Sequence, residues 1–263
     1  MKRISVILLL TTVFLPLRAQ VDSTKLAAMD KMLDNYIGAM EKETADVKSQ
    51  ECDFIISSCT DSLLKQNAAL HLYTHYFASS LMGDEAVAIH IYDNWFADGK
   101  VKMQSDIDLL NAGIFAEFNR TSLIGAQAPV LEMKDIRGEK LSFPVNGRYS
   151  VLFFYDTTCS RCKLETSLLG SLLDSGRFGF SLYAVYVGDD RSSWEEYAAE
   201  NLRTDAENIS VQHLWDPQIE SGYQKLYGVM QTPRMFLVAP DGRIVGRMLN
   251  TEALIKLLIH YEL

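Results

Sequence analysis

Cysteine, proline, positive charge and long apolar segments are all scarce in this chain of 263 residues. Four cysteines are too few for a small fold stapled by disulfides. The 25 Lys and Arg are outnumbered by 34 Asp and Glu, and the net charge of −9 argues against nucleic-acid binding, which needs a basic surface. Charged residues make up 22% and hydrophobic residues 48%, a composition that excludes disorder. The chain therefore folds into one large domain or two smaller ones.

Residues 1–19 have the features of a signal peptide. Residues 1–3 form a basic start, and an apolar run over residues 4–15 ends before Pro16. A membrane anchor is the less favoured alternative, because this run is too short to span ~30 Å of hydrocarbon as a helix. We predict cleavage after Ala19, which takes the net charge from −9 to −12 and leaves a soluble protein exported to an oxidising compartment.

The next part of the chain, residues 20–123, is predicted to be an all-helical domain. Proline is absent from residue 21 through residue 128, and apolar residues recur at spacings of three and four. Four apolar stripes begin at Leu26, Leu63, Val87 and Ile107. The predicted helix caps are Thr60, Asp84 and a capping pair of Ser105 with Asp108.

From residue 124 to residue 263 the pattern changes to alternating strands and helices. Residues 149–155 form a continuous apolar run, which is typical of a strand covered on both faces. The other predicted elements are a hairpin turn at 135–139, helices at 160–173, 194–201, 219–227 and 252–261, and strands at 180–187, 211–215, 235–239 and 244–248. This order predicts an α/β domain with a mixed sheet flanked by helices, preceded by the all-α domain.

Cys159 and Cys162 lie where the buried strand is followed by a helix. A cysteine at a helix N-terminus faces unpaired N–H groups and the positive end of the helix dipole, which stabilise the thiolate. Arg161 adds a positive charge nearby. Cys162, one turn later, is close enough to form a disulfide with Cys159. We therefore predict that Cys159 forms a mixed disulfide with a substrate and that Cys162 resolves it.

Three other interpretations of this cysteine pair are less favoured. A zinc site needs about four ligands, and no second cysteine or histidine pair completes one. A peroxidatic cysteine would need threonine and proline at the positions of Asp156 and Leu152. A permanent structural disulfide between Cys159 and Cys162 remains an alternative.

Three segments resemble the thioredoxin superfamily: residues 151–162, residues 231–238 with Thr232 and Pro233, and the hairpin at 241–246. The most similar branch is the exported TlpA/ResA-like group, and residues 124–138 resemble the N-terminal hairpin of that branch and of the AhpC/TSA group. The resemblance implies a thioredoxin-like fold over residues 124–263.

The resemblance also implies roles for residues away from the cysteines. Pro233 is expected to be cis, and the backbone of Thr232 to lie beside the cysteines and bind a substrate chain as an added strand. Glu165 matches an acidic residue kept near the active site, with an expected role in proton transfer; the alternative is a solvated helix residue. Phe153 departs from the family, because thioredoxin itself has a buried Asp there.

The function that these features imply is an exported thiol–disulfide oxidoreductase. The resemblance implies that its substrates are disulfide-containing periplasmic proteins, reduced in the periplasm with electrons from a membrane thiol donor. An isomerase or an oxidant is a related alternative. No cofactor or metal is expected, since the two sulfurs carry the electrons. The alternative is a non-enzymatic binding protein, in which the helical domain captures a partner and the cysteine pair is inert.

The helical region has a weaker resemblance and two further groups of candidate residues. Residues 81–100 resemble a helical domain of unknown function that precedes thioredoxin-like domains in exported bacterial proteins, which we interpret as a scaffold or partner-binding module. Cys52 and Cys59 would lie ~10.5 Å apart on one uninterrupted helix, too far for a disulfide, so we favour unpaired, half-buried thiols. The alternative is a disulfide between them, which requires the helix to end near residues 57–58. His71 and His75 share a helix face, but packing is favoured over metal binding because no further ligands are evident.

Overall fold

A computed structural model of the protein describes residues 14–262, with side chains from residue 23 onward. Residues 1–13, most of the predicted signal peptide, lie outside the described residues, so the signal peptide and its cleavage stay predictions. The chain forms two compact units, Met1–Gly113 and Ile114–Leu263. The domain boundary predicted after residue 123 stays a prediction. None of the described helices combines the length and apolarity needed to cross a membrane.

The first unit is helical, as predicted. Its helices are α1 (Phe14–Ala39), α2 (Ala45–Ser58), α3 (Ser62–Ala78), α4 (Asp84–Ile91), which continues into a π-helical turn (Tyr92–Phe96), and the first part of α5 (Asp106–Asn119). Leu33 and Ile37 of α1 are buried, and so is Met40, the residue that follows the helix. Their spacing of four and three places them on one face of the helix, and the predicted apolar stripe is confirmed there.

Two predicted helix caps are wrong by one residue. The carboxylate of Asp61, not the hydroxyl of Thr60, accepts from the N–H groups at the start of α3, at 2.9 and 3.0 Å. Helix α4 is preceded by Gly83, whose φ of 101° is in the left-handed region, and Asp84 is the first helical residue. The side chain of Asp84 does not cap α4 because it binds elsewhere.

Asp84 forms a buried ion pair with Lys48 of α2. The Lys48 Nζ and Asp84 Oδ1 atoms are 2.7 Å apart, and only 6% and 4% of these side chains are exposed. The hydroxyl of Ser79 donates to the other carboxylate oxygen at 2.6 Å. The pair thus joins α2 to α4 inside the unit, with both charges removed from water.

At the start of α5 the predicted capping pair is confirmed. The N–H of Asp108 donates to Ser105 Oγ at 3.1 Å, and the Ser105 hydroxyl donates to the Asp108 carboxylate at 2.7 Å. The predicted apolar face is wrong, however, because Ile107 is exposed and Ala112 is buried. The small side chain of Ala112 lets the helix backbone approach its neighbours closely. A prediction based on large apolar residues did not give weight to this.

In the second unit, seven strands of the described chain form one mixed sheet. The strands are β1 (Leu131–Asp135), β2 (Lys140–Phe143), β3 (Ser150–Tyr155), β4 (Phe180–Tyr186), β5 (Ile209–Trp215), β6 (Arg234–Val238) and β7 (Ile244–Arg247). Their order is β2-β1-β5-β4-β3-β6-β7, with β3, β4 and β5 parallel and the other pairs antiparallel. The helices are α6 (Ser160–Ser175), α7 (Arg191–Glu200), α8 (Tyr223–Tyr227) and α9 (Thr251–His260). The predicted α/β class is confirmed.

Strand β3 is fully buried at the centre of this sheet. Phe153 and Tyr155 point into a core that includes residues of α6 and α9, whereas Leu152 and Phe154 point into a core on the opposite face. Side chains of a strand alternate between faces, so a strand covered on both sides must be apolar throughout. Burial of β3 on both faces therefore explains the uninterrupted apolar run in the sequence.

The helix predicted over residues 219–227 begins later than the apolar spacing indicated. Ile219 has φ of 57° and Gly222 has φ of 68°, so neither is helical, and α8 begins only at Tyr223. The chain turns at these two residues before the helix forms.

Both outer edges of the sheet are short. Strand β2 has four residues and is followed by Pro144. Strand β7 also has four residues, and the segment before β1 covers it: the N–H of Gly125 donates to the Ile244 carbonyl at 2.8 Å, and the N–H of Ile244 donates to the Ala126 carbonyl at 2.9 Å.

Gly228, at the end of α8, is expected to be far less replaceable than Gly222 at its start. Both have positive φ, so alanine costs about 1–2 kcal/mol at either position. A Cβ at Gly228 would also lie 2.7 Å from the Phe118 carbonyl oxygen, whereas at Gly222 the nearest atom is 3.9 Å away. We expect Gly228→Ala to lose about 1–3 kcal/mol more than Gly222→Ala in urea unfolding. Equal losses of unfolding free energy in the two variants would show that the structure adjusts to relieve the contact with the Phe118 carbonyl oxygen.

Candidate active site

The sheet register places the two sequence motifs side by side. Phe154, near the end of β3, pairs with Arg234, the first residue of the antiparallel strand β6. The residues that follow β3 therefore lie beside those that precede β6. These are the Cys159 segment on one side and Thr232 with Pro233 on the other, and the Thr232–Pro233 peptide bond is cis.

Cys159 is the N-cap of α6. Its sulfur accepts from the N–H of Cys162 at 3.2 Å, and its thiol donates to the Thr232 carbonyl at 3.7 Å. Asp156 helps to shape the preceding turn by accepting from the N–H of Thr158 at 2.6 Å. Cys159 is half-buried, so its sulfur is held in place yet remains partly open to solvent.

The pKa of the Cys159 thiol is below its ordinary value. Burial alone would raise this pKa, but the thiol and N–H of Cys162, the side chain of Thr232 and the N–H of Arg161 stabilise the thiolate and outweigh it. Arg161 acts here through its main-chain N–H, while its side chain is exposed. The contribution that the structure shows is thus the helix N-terminus and not the charge of the guanidinium.

Cys162 differs from Cys159 in both its burial and the direction of its pKa shift. It is fully buried in the core beneath α6, and burial, followed by the hydrogen bond to Cys159, raises its pKa to about 11. Both thiols are free. The pair therefore consists of one accessible thiol that ionises readily and one buried thiol that holds its proton.

Glu165 does not bind the thiols. Its Oε2 atom accepts from the N–H of Thr251 at 2.8 Å and from the Thr251 hydroxyl at 2.6 Å, at the start of α9. The carboxylate therefore connects α6 to the N-terminus of α9, which is neither of the two situations considered from the sequence. Its predicted role in proton transfer stays a prediction.

The core next to Cys162 contains polar groups that the sequence did not single out. Thr166 lies one turn after Cys162 on α6 and is 2% exposed. Tyr155 of β3 is fully buried, and its ring stacks on that of Tyr197 from α7, with centroids 5.4 Å apart. Tyr197 itself is half-buried.

The other candidate residues lie in the first unit. Burial raises the pKa of the Cys52 thiol to about 12. Cys59 is half-buried, and burial raises the pKa of its thiol as well. Both are free thiols, although Cys52 is more completely buried than predicted. His71 Nε2 lies 2.8 Å from an oxygen of Asp34. Over the described residues, no three side chains of His, Cys, Asp or Glu are grouped to hold a metal ion.

Comparisons with known proteins found one family model and several solved structures that are similar to parts of this chain. The family model of the AhpC/TSA family matches residues 124–247. A thioredoxin-like protein from Bacteroides caccae is similar with a TM-score of 0.68 at 14% identity, over 89% of this chain and 84% of that one. The second unit therefore has a thioredoxin-like fold.

Other solved structures are similar over a smaller share of the chain. A domain of a possible thiol-disulfide isomerase from Cytophaga hutchinsonii has 24% identity and a TM-score of 0.44, over 53% of this chain and 93% of that one. StoA from Bacillus subtilis has 24% identity and a TM-score of 0.39, over 49% and 97%. A comparison with curated proteins found no match.

Proposed function

We propose that the protein is a thiol–disulfide oxidoreductase that reacts through Cys159 and Cys162. The observation that carries the proposal is the contrast within the pair: Cys159 is half-exposed with a lowered pKa, and Cys162 is buried one turn away with a raised pKa. A thiolate is the nucleophile in disulfide exchange, and the second thiol must be adjacent but need not be exposed.

The reaction proceeds in two exchanges. The Cys159 thiolate attacks one sulfur of a substrate disulfide, forms a mixed disulfide and releases the other substrate sulfur as a thiolate. The Cys162 thiolate then attacks the Cys159 sulfur and releases the second substrate thiolate. Two electrons have passed to the substrate, and the protein holds a Cys159–Cys162 disulfide.

The edge beside Cys159 suits an extended polypeptide. Thr232 lies against Cys159 just before β6 begins, and a main-chain segment placed along it could form strand-like hydrogen bonds. Such bonds do not depend on the side chains of the substrate. This supports disulfide-containing proteins as the substrate class.

Each round of reduction leaves the cysteine pair oxidised, so the protein needs a donor of two electrons and two protons. We propose a membrane thiol donor that regenerates the pair by the same exchange chemistry, and export to the periplasm. The basic start and apolar run of residues 1–15 support export. An oxidising compartment would require such a dedicated donor.

The lowered pKa of Cys159 is tested by alkylation. With the reduced protein and iodoacetamide at pH 7, we expect Cys159 to react at least about tenfold faster than Cys59, because its thiolate fraction is larger. The rate should rise with pH to a midpoint below the ordinary value of 9.0. Cys59, half-buried with a raised pKa, serves as the control within the same molecule, and mass spectrometry assigns each label. A Cys159 rate no greater than that of Cys59 would sink the proposal.

A further inference from the structure

The first unit contains a cleft that the proposed disulfide exchange does not use. Its volume is about 740 Å³, within the range of about 300–1,000 Å³ that is typical of small-molecule sites. Residues of α1, α2 and α3, and of the segment that joins α3 to α4, form its walls. The carboxylates and the ammonium group that line it belong to Asp34, Glu41, Asp84 and Lys48.

The buried part of this cleft offers hydrogen-bond donors. Lys48 and Tyr76 both line the cleft and are almost fully buried, and the Lys48 ammonium lies 6.0 Å from the centre of the Tyr76 ring. An ammonium group has three N–H donors, and among the described residues Asp84 Oδ1, 2.7 Å away, is its acceptor. No nitrogen or oxygen atom of the described residues bonds to the Tyr76 hydroxyl. Because buried polar groups are normally hydrogen-bonded, these donors point to an acceptor on a ligand.

The outer part of the cleft is acidic. Asp34 and Glu41 are exposed there, and Asp84 is already paired with Lys48. The surroundings have the same sign of charge, since residues 20–113 contain 15 Asp and Glu against seven Lys and Arg. A cleft lined by carboxylates attracts positively charged ligands and disfavours anions.

We propose that this cleft binds a basic amino acid, either free or as a residue of a peptide. Its carboxylate or carbonyl oxygen accepts hydrogen bonds from Lys48 and Tyr76, and its cationic end pairs with Glu41 and Asp34. The methylene stem between them contacts apolar side chains that also line the cleft, such as Ile37. An acidic ligand would meet the outer carboxylates, and an apolar one would leave the buried donors unpaired.

Isothermal titration calorimetry of the full chain with L-arginine tests this binding. We expect a Kd below about 1 mM. Propylguanidine lacks the carboxylate end and L-norleucine lacks the cationic side chain, so each should bind at least about tenfold more weakly than L-arginine. A tripeptide with a central arginine and blocked ends distinguishes the two sources of the ligand. Tighter binding than L-arginine would identify a peptide segment, and weaker binding would identify the free amino acid.

Gly38→Leu blocks the cleft without touching its polar groups. Gly38 of α1 lines the cleft, and a Cβ at this position would meet no atom within 4 Å. Leucine is also a better helix former than glycine, so the denaturation midpoint should not fall. We expect the affinity for L-arginine to fall at least about tenfold, because the side chain fills space that the ligand needs. Gly170→Leu, at a position in α6 where a Cβ is equally free of contacts, should leave the affinity unchanged.

Two further variants test the two ends of the ligand. Glu41→Gln should weaken L-arginine binding about threefold, whereas Glu43→Gln, which removes the same charge outside the cleft lining, should not. Tyr76→Phe should weaken L-arginine binding about fivefold but leave propylguanidine binding unchanged, because only L-arginine brings a carboxylate to the hydroxyl.

The proposal is overturned if L-arginine, L-lysine and the tripeptide all fail to bind at concentrations up to about 10 mM. It is also overturned if Gly38→Leu binds L-arginine as tightly as the unmodified protein does. Equal weakening by Glu41→Gln and Glu43→Gln would show attraction to an acidic surface and not a site in the cleft.

Discussion

Cys159→Ser is expected to abolish reduction of disulfide substrates, with a loss of at least about a thousandfold. A serine hydroxyl at the N-cap of α6 would keep the hydrogen bond from Cys162, but it is not ionised at neutral pH and cannot form a mixed disulfide. The measurement is reduction of a disulfide-bonded protein substrate with a chemical dithiol as the electron source. Cys59→Ser, which removes a thiol from the other unit, should retain full activity.

Cys162→Ser is the companion variant, because it stops the reaction between the two exchanges. Cys159 remains reactive, so mixed disulfides should accumulate and can be isolated from cells under non-reducing conditions. Their absence in Cys159→Ser would show that they depend on the N-cap sulfur. If Cys159→Ser instead kept full biological activity, the alternative of a non-enzymatic binding protein would replace the oxidoreductase.

Asp84→Ala is expected to destabilise the first unit by about 3–5 kcal/mol. The substitution leaves the Lys48 ammonium 6% exposed and without the carboxylate that balances it. It also removes the acceptor of the Ser79 hydroxyl. Urea denaturation of the full chain, followed by circular dichroism at helix wavelengths, measures the loss.

Two comparisons make this stability test specific to the buried charge. Replacing both partners, as Lys48→Met with Asp84→Leu, should recover much of the lost stability, because neither charge is then buried. Glu252→Ala, which breaks the exposed pair of Lys256 and Glu252, should leave the denaturation midpoint almost unchanged. An Asp84→Ala loss as small as that of Glu252→Ala would mean that Lys48 reaches water in the variant.

The sequence predicted those parts of the fold that depend on local pattern. The apolar run of β3 and the stripe of α1 were confirmed, because burial on two faces or on one helix face leaves a regular period. The cap of α3 was misassigned because two adjacent residues, Thr60 and Asp61, can both accept hydrogen bonds there. Asp84 was misassigned for a different reason: Lys48, 36 residues earlier, binds its side chain.

The residues of the candidate site also divide into those that a local sequence pattern reveals and those that it does not. Cys159, Cys162, Thr232 and Pro233 could be found because each lies in a short motif, and the pairing of β3 with β6 brings them together. The contact of Glu165 with Thr251 spans 86 residues of chain and leaves no local pattern. Tyr197 was missed because its packing against the core that contains Cys162 depends on how α7 packs. The four-residue spacing of Thr166 from Cys162 is the signal that could have found Thr166.

The short outer strands of the sheet bear on self-association. An unpaired strand edge can template pairing with another copy of the same chain and lead to aggregates. Strand β2 offers only four residues, begins with Lys140, and is followed by a proline that cannot donate a hydrogen bond. The outer edge of β7 is already occupied by the segment from Gly125. Edge-to-edge polymerisation through this sheet is therefore disfavoured, even when the protein is concentrated.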